Sequence, residues 1–174
     1  VGAGYTYSVF VTPSGNLYTC GTNAVIGTRS SPVAVTSGWF TWTKVWGGGD
    51  VFSVQSAADG SVWSLGGASL ATNMDGKLGD GTTIARPQPN TLYNGVTPSF
   101  SWTAVSTSTF SPSGSVALDQ YNRAWMWGLN SAGQIGDGTT VNKNVAVRIP
   151  GSWTAVSVRG NVTFLGINDR NAIW

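Results

Sequence analysis

Gly76-Lys-Leu-Gly-Asp-Gly-Thr-Thr83 returns as Gly133-Gln-Ile-Gly-Asp-Gly-Thr-Thr140. A second anchor, Trp-Thr-x-Val, starts at Trp42, Trp102 and Trp153. Anchors roughly 50 to 60 residues apart mean a propeller, solenoid or array, in which one supersecondary unit stacks on copies of itself. A third mark keeps the register. Gly4, Gly49 and Gly160 precede, by one constant interval, the turn positions Gly15, Gly60 and Asn171. Gly and Asn accept a left-handed backbone most readily.

The turns read Pro13-Ser-Gly15, Ala58-Asp-Gly60 and Asp169-Arg-Asn171, and short apolar runs flank them. Tyr7 to Val11 faces Leu17 to Cys20, and Val51 to Val54 faces Val62 to Leu65. Such pairs around an Asp-Gly or Ser-Gly turn predict β-hairpins. The third copy predicts the same hairpin with two extra residues, turning at Asp119 to Asn122. Each hairpin ends in Gly21, Gly66 or Gly128, followed by a Gly-rich loop, a Pro-containing segment and the next Trp-Thr-x-Val. The unit reads as strand, turn, strand, long loop, short strand, outer strand. No window carries sustained helical periodicity with caps.

Ala124-Trp-Met-Trp-Gly-Leu-Asn130 and Gly133-Gln-Ile-Gly-Asp-Gly138 match closely the Trp-Gly-x-Asn and Gly-Gln-Leu-Gly-x-Gly elements of the regulator of chromosome condensation repeats. Gly21-Thr-Asn23 and Gly66-Gly67 match in part. Over essentially its whole length the chain resembles that family. The resemblance implies an all-β propeller of four-stranded blades, here an arc of about three and a half repeats. The repeats fall at 1–45, 46–105, 106–156 and an incomplete 157–174. The pattern departs in places. Tyr7, Phe52 and Thr163 stand where the family has His. Copy one keeps only Ile26-Gly-Thr28 of the loop, and copy two gains residues around Ala68 to Asp75 and Asn90 to Ser101.

A ring needs its first and last blades to meet. With 174 residues the expectation is an arc of a longer chain, or else several short chains assembled into one ring. Nine basic and seven acidic residues leave a net charge of +2, and Glu and His are absent. That is no nucleic-acid footprint. No apolar run is long enough to insert in a membrane. Solubility resting on Ser, Thr and Asn suits a rigid extracellular or virion protein. The single cysteine, Cys20, aligns with Leu65 and Trp127 and reads as a small buried apolar residue.

Without His or Glu there is no Ser-His-Asp triad and no His-based zinc site. Asp59 and Asp169 read as turn caps, and Asp80 and Asp137 as members of equivalent loops that bond their own backbone. Hence no catalytic residue, metal site or cofactor is expected. Trp63 and Trp125 share one repeat position, and Trp42, Trp102 and Trp153 another. Periodic aromatics fill the wedge between blades. The residues that break the period are the candidates for partner binding: Trp46 and Tyr93, with Met74, Asp75 and Asn94 from copy two's insertions.

The expected function is a non-catalytic structural or adhesive module of a virion (a phage tail or fibre) or an extracellular assembly. Its partners would be a protein or surface glycan and neighbouring subunits. The family resemblance supplies the alternatives, a secreted propeller inhibitor or a GTPase-exchange-type scaffold.

Overall fold

The alternating apolar runs fold into antiparallel sheets. The computed structural model describes residues 1–23, 27–35, 40–49, 51–66, 73–92, 101–108, 114–159 and 163–173. The first sheet runs β1 (Gly2–Ala3), β2 (Tyr7–Val11), β3 (Leu17–Asn23), β4 (Gly27–Ala34). The second is β5 (Trp42–Gly47), β6 (Val51–Ser56), β7 (Val62–Gly66), β8 (Arg86–Thr91). The third is β9 (Trp102–Thr107), β10 (Gly114–Asp119), β11 (Ala124–Gly128), β12 (Lys143–Ile149). The last pairs β13 (Trp153–Arg159) with β14 (Thr163–Asn168). Each sheet is a meander in chain order. This is the blade arrangement of a partial β-propeller.

The Trp-Thr-x-Val strand is not an outer strand. It opens the second, third and last sheets and pairs with the strand that follows, β5 with β6, β9 with β10 and β13 with β14. These opening strands also pack on one another, β1 on β5, β5 on β9 and β9 on β13, so they are the strands where the sheets converge. The sequence repeats are therefore offset from the sheets by one strand. Their boundaries after residues 45, 105 and 156 fall inside β5, β9 and β13.

The turns are left-handed where the sequence requires it, at Gly15 (φ 82°), Gly60 (71°), Asn122 (60°) and Asn171 (57°). They also clasp the next sheet. The Trp42 N–H donates to the Gly15 carbonyl at 3.0 Å, and the Trp153 N–H to the Asn122 carbonyl at 2.8 Å. Between the second and third sheets Gln55 Nε2 takes over, donating to the carbonyls of Gly60 (3.1 Å) and Trp102 (2.6 Å). The third hairpin carries no extra residues. Its closing pair, Asp119 and Arg123, spans the same interval as Thr12 and Asn16 or Asn168 and Ala172. The additional length of that copy lies ahead of β10.

Strand alternation sends side chains to both faces, and each interface buries one cluster. Tyr7, Val9 and Leu17 meet Trp42, Phe52, Val54 and Leu65 between the first two sheets. Val62 and Leu92 meet Trp102, Val105, Ala117 and Trp127 between the next two. Val116, Leu118 and Met126 meet Trp153 and Val158 at the third interface. Each fully covered large side chain stabilises the stack by about 2–3 kcal/mol. The recurring Trp42, Trp102 and Trp153 are 2%, 1% and 7% exposed, as wedge-filling aromatics should be. Cys20 departs from expectation. Leu65 and Trp127 are fully buried, whereas Cys20 is half-buried, because it lies on the face of the first sheet that no described sheet covers.

Candidate partner-binding surface

The Gly-rich loops are closed structures held by their own side chains. In each, a fully buried Asn is the hub. Asn130 Nδ2 donates to the carbonyls of Thr139 (3.0 Å) and Val141 (3.2 Å), while its Oδ1 accepts from the Ile135 N–H (2.9 Å). Asn73 repeats this with Thr82, Ile84 and the Leu78 N–H. Asn130 is the Asn of the repeat motif. Asn73 is its counterpart, and the sequence hid it behind copy two's insertion, which separates it from Gly66.

The carboxylates are occupied in the same way. Asp80 Oδ1 accepts from the Thr82 N–H (3.0 Å) and Oγ1 (2.7 Å), and its Oδ2 accepts from Arg86 Nε (2.7 Å) and Asn90 Nδ2 (3.0 Å). Asp137 bonds Thr139 identically and pairs with Lys143 Nζ at 2.8 Å. Burial pushes the Asp80 pKa up, but the bonds from Arg86, Thr82 and Asn90 outweigh it, and the net shift is downward. Lys143 holds Asp137 well below the usual carboxylate range. Asp59 is lowered by the Ser61 hydroxyl and N–H. In the fourth hairpin the cap is Asn168, whose Oδ1 accepts from the N–H groups of Arg170 and Ala172, one residue before the expected Asp169. Groups held ionised by their own loops have no proton to donate as general acids near neutrality. Among the described residues no cluster of His, Cys, Asp or Glu could hold a metal ion, and no helix is long and apolar enough to cross a membrane.

Of the described candidates, Trp46 lies on a separate element from Met74 and Asp75. Trp46, on β5, is half-buried and packs against the cluster between the second and third sheets. Met74 is 66% exposed, in the turn that follows Asn73. Its neighbour Asp75 accepts from Asn142 Nδ2 of the next loop at 3.1 Å, so it ties copy two to copy three. Both occupy positions that every full loop has, matching Ser131 and Ala132, rather than the insertion itself. Tyr93 and Asn94 lie outside the described residues.

A better-organised group lies at the hairpin turn of the third sheet. Tyr121 is 59% exposed. The Arg123 guanidinium stacks 4.9 Å from the Tyr121 ring centre and 5.7 Å from that of Trp125. Asp119 holds the group from beneath: its Oδ1 accepts from the N–H groups of Tyr121 and Arg123, and its Oδ2 from Arg123 Nε and Trp125 Nε1. Asp119 is fully buried. Burial raises its pKa, and the bonds from Trp125, Arg123 and Tyr121 more than reverse that. Trp125 in turn meets Trp102 edge-on at 6.0 Å. Phe40, 48% exposed, caps Trp42 and Trp63 beside the second hairpin. Sequence reasoning missed this group because Trp125 is periodic and reads as core, while Tyr121 and Arg123 are ordinary turn residues until Asp119 gathers them.

No family model matches the chain, and no curated protein sequence matches it significantly. Among solved structures it is similar to Prp20p of Saccharomyces cerevisiae, with 17% identity and a TM-score of 0.69 over 97% of this chain and 44% of that one. That protein is described with its binding to Gsp1p and histones. The same yeast RCC1 (Prp20), bound to Kap60, gives 17% identity and a TM-score of 0.71 over 97% and 42%. The ectodomain of receptor kinase CR4 of Physcomitrella patens gives 10% identity and 0.58 over 99% and 37%. The chain thus spans less than half the length of each. The likeness establishes an RCC1-like β-propeller fold, and at these identities it speaks to fold alone.

Proposed function

We propose that the chain is a non-catalytic protein-binding propeller module whose contact point is the Tyr121–Arg123–Trp125 stack. The observation that carries this is the stack's order before any partner arrives. Asp119 fixes both Arg123 and Trp125, so little side-chain entropy remains to be lost on binding. Tyr, Arg and Trp are also the residues that dominate interface energetics. The carboxylates of Asp59, Asp80, Asp119 and Asp137, each held ionised by its own neighbours, support the non-catalytic part of the reading. The scarcity of charge and the absence of Glu and His support a setting on a virion or outside a cell, where a rigid disc presents its turns.

The test is photo-crosslinking from position 120, exposed beside the stack, in extract of the source organism. The expected result is one defined protein adduct, lost on Tyr121→Ala without a change in melting temperature. Adducts that survive Tyr121→Ala, or Tyr121-dependent retention on a glycan array with no protein adduct, would sink the protein-binding reading.

A further inference from the structure

Phe40 and Phe100 stand two residues before Trp42 and Trp102, and Gly151 stands in the same place before Trp153. In the second sheet that ring is a cap. Phe40 lies 5.6 Å from Trp42 and 5.0 Å from Trp63, ring centre to ring centre. Trp42 and Trp63 also meet each other edge-on at 6.1 Å, so the second tryptophan stands beside the cap and does not take its place. Ahead of the last sheet the chain supplies no such ring. The connection has three residues, 150–152, against seven at 35–41 and ten at 92–101. Position 151 faces the indole: a Cβ there would lie 3.2 Å from Trp153 Nε1 and 3.3 Å from Cε2. Its φ of 107° is a backbone that suits glycine alone.

A cleft of about 410 Å³ opens there, lined among the described residues by Gly151, Ser152, Trp153, Asn168, Asp169 and Arg170. It belongs to the junction of the third and last sheets. Trp153 packs with Val116 and Leu118 of the third sheet, and its N–H donates to the Asn122 carbonyl of that sheet's turn. The Asp169 N–H donates to the Ser152 carbonyl at 3.2 Å. The Trp153 indole N–H is already bonded to the Pro150 carbonyl at 3.2 Å, so the ring offers the cleft apolar surface. The turn adds charge. Asp59, Asp75, Asp80, Asp119 and Asp137 each accept from a neighbouring side chain. Asp169 is the one described aspartate whose carboxylate accepts nothing, since Asn168 caps the turn in its stead. Beside it, Arg170 is bonded through its backbone N–H alone. Both residues are exposed.

We propose that this cleft takes a tyrosine side chain of a partner polypeptide. The ring lies against Trp153 as Phe40 lies against Trp42. The phenol O–H donates to the Asp169 carboxylate, and the Arg170 guanidinium covers the face of the ring. The third sheet builds such a set from its own chain, with Asp119, Arg123 and the rings of Tyr121 and Trp125. The last sheet has the carboxylate and the guanidinium without the ring between them. Two observations favour a polypeptide over a sugar. The group that caps the second sheet is an aromatic side chain, and the turn carrying Tyr121 borders the cleft through Asn122. The cleft shares no residue with the Tyr121 stack and stands or falls apart from it.

The probe is N-acetyl-tyrosinamide, titrated into the chain and followed by amide and indole NMR shifts. Saturable shifts are expected at Gly151, Ser152, Asp169, Arg170 and the Trp153 indole. N-acetyl-phenylalaninamide, which lacks the donor for Asp169, should bind about threefold or more weakly. Asp169→Asn should erase that preference, and Arg170→Ala should weaken both ligands. Both substitutions sit at exposed turn positions, and unchanged shifts elsewhere confirm that the variants fold. The proposal is overturned by no saturable shift at these residues, by equal binding of the two ligands, or by binding that neither substitution alters. Saturable shifts with methyl glucoside and none with the tyrosine probe would assign the cleft to a sugar instead.

Discussion

Asn130 shows how one side chain decides a loop. Its amide donates to carbonyls of Thr139 and Val141 and accepts from Ile135, in a fully buried place. Asn130→Ala leaves those groups without partners and should cost about 1–3 kcal/mol. Asn130→Asp should do no better, because a carboxylate cannot donate to two carbonyls. Urea midpoints read both, and an unchanged midpoint for either would remove the hub from this account. The aspartates give a second prediction at this scale. Asp59, Asp80, Asp119 and Asp137 all have lowered pKa values in the folded chain. A depressed carboxylate stabilises the fold above its unfolded value, and that stability is lost as pH falls through the folded value. The melting temperature should therefore hold steady above about pH 5 and drop steadily below the ordinary carboxylate value near 4. Asp119→Asn should make that acid slope shallower. An equal slope would mean that Asp119 does not contribute to it.

At the scale of elements, the loop of one copy is the lid of the next sheet. The Gly81 N–H donates to the Asn144 carbonyl, and Asn144 Nδ2 donates back to the Gly81 carbonyl, both at 2.8 Å. With Lys77 on Trp127, these bonds fasten the second loop across β11 and β12. Gly79→Ala and Gly136→Ala separate contact from backbone, because both carry the same left-handed strain of about 1 kcal/mol. Only Gly79→Ala also collides with Leu92 and Trp127. It should be the more destabilising by at least about 1–3 kcal/mol, the usual range for overpacking. Comparable losses in thermal melts would show that the contacts around Gly79 do not set the difference.

Among the described residues the sheets form a row, each packed on its neighbours, so stability should grade along the row. The second and third sheets are covered on both faces, and β6 and β10 are buried throughout. Among the described residues nothing covers the outward sides of the first and last sheets, where Phe10 and Tyr18 stack on one and Leu165, Ile167 and Ile173 are exposed on the other. Native-state hydrogen exchange should find β6, β7, β10 and β11 slowest, and β4 and β14 fastest. Uniform protection across all of them would instead mean one cooperative block, or end faces covered by other chains.

By itself, the sequence determined the repeat, the hairpins and the left-handed turns, because these rest on local rules. Gly15, Gly60 and Asn171 mark their turns through backbone sterics alone, and the spacing of Trp42, Trp102 and Trp153 places them in the wedges between sheets. It also determined that the aspartates of the hairpin turn at Asp59 and of the Gly-rich loops bind their own chain. Pairing order needed the tertiary structure. Trp-Thr-x-Val opens the following sheet rather than closing the preceding one, a choice made by hydrogen bonds between strands that period counting cannot see. Sites needed it too. Trp46 stands out in the sequence but is half covered by the neighbouring sheet, whereas Tyr121 and Arg123 stand out only once Asp119, held in the buried core, draws them together. Burial and convergence arise between distant segments, and only the folded chain sets them.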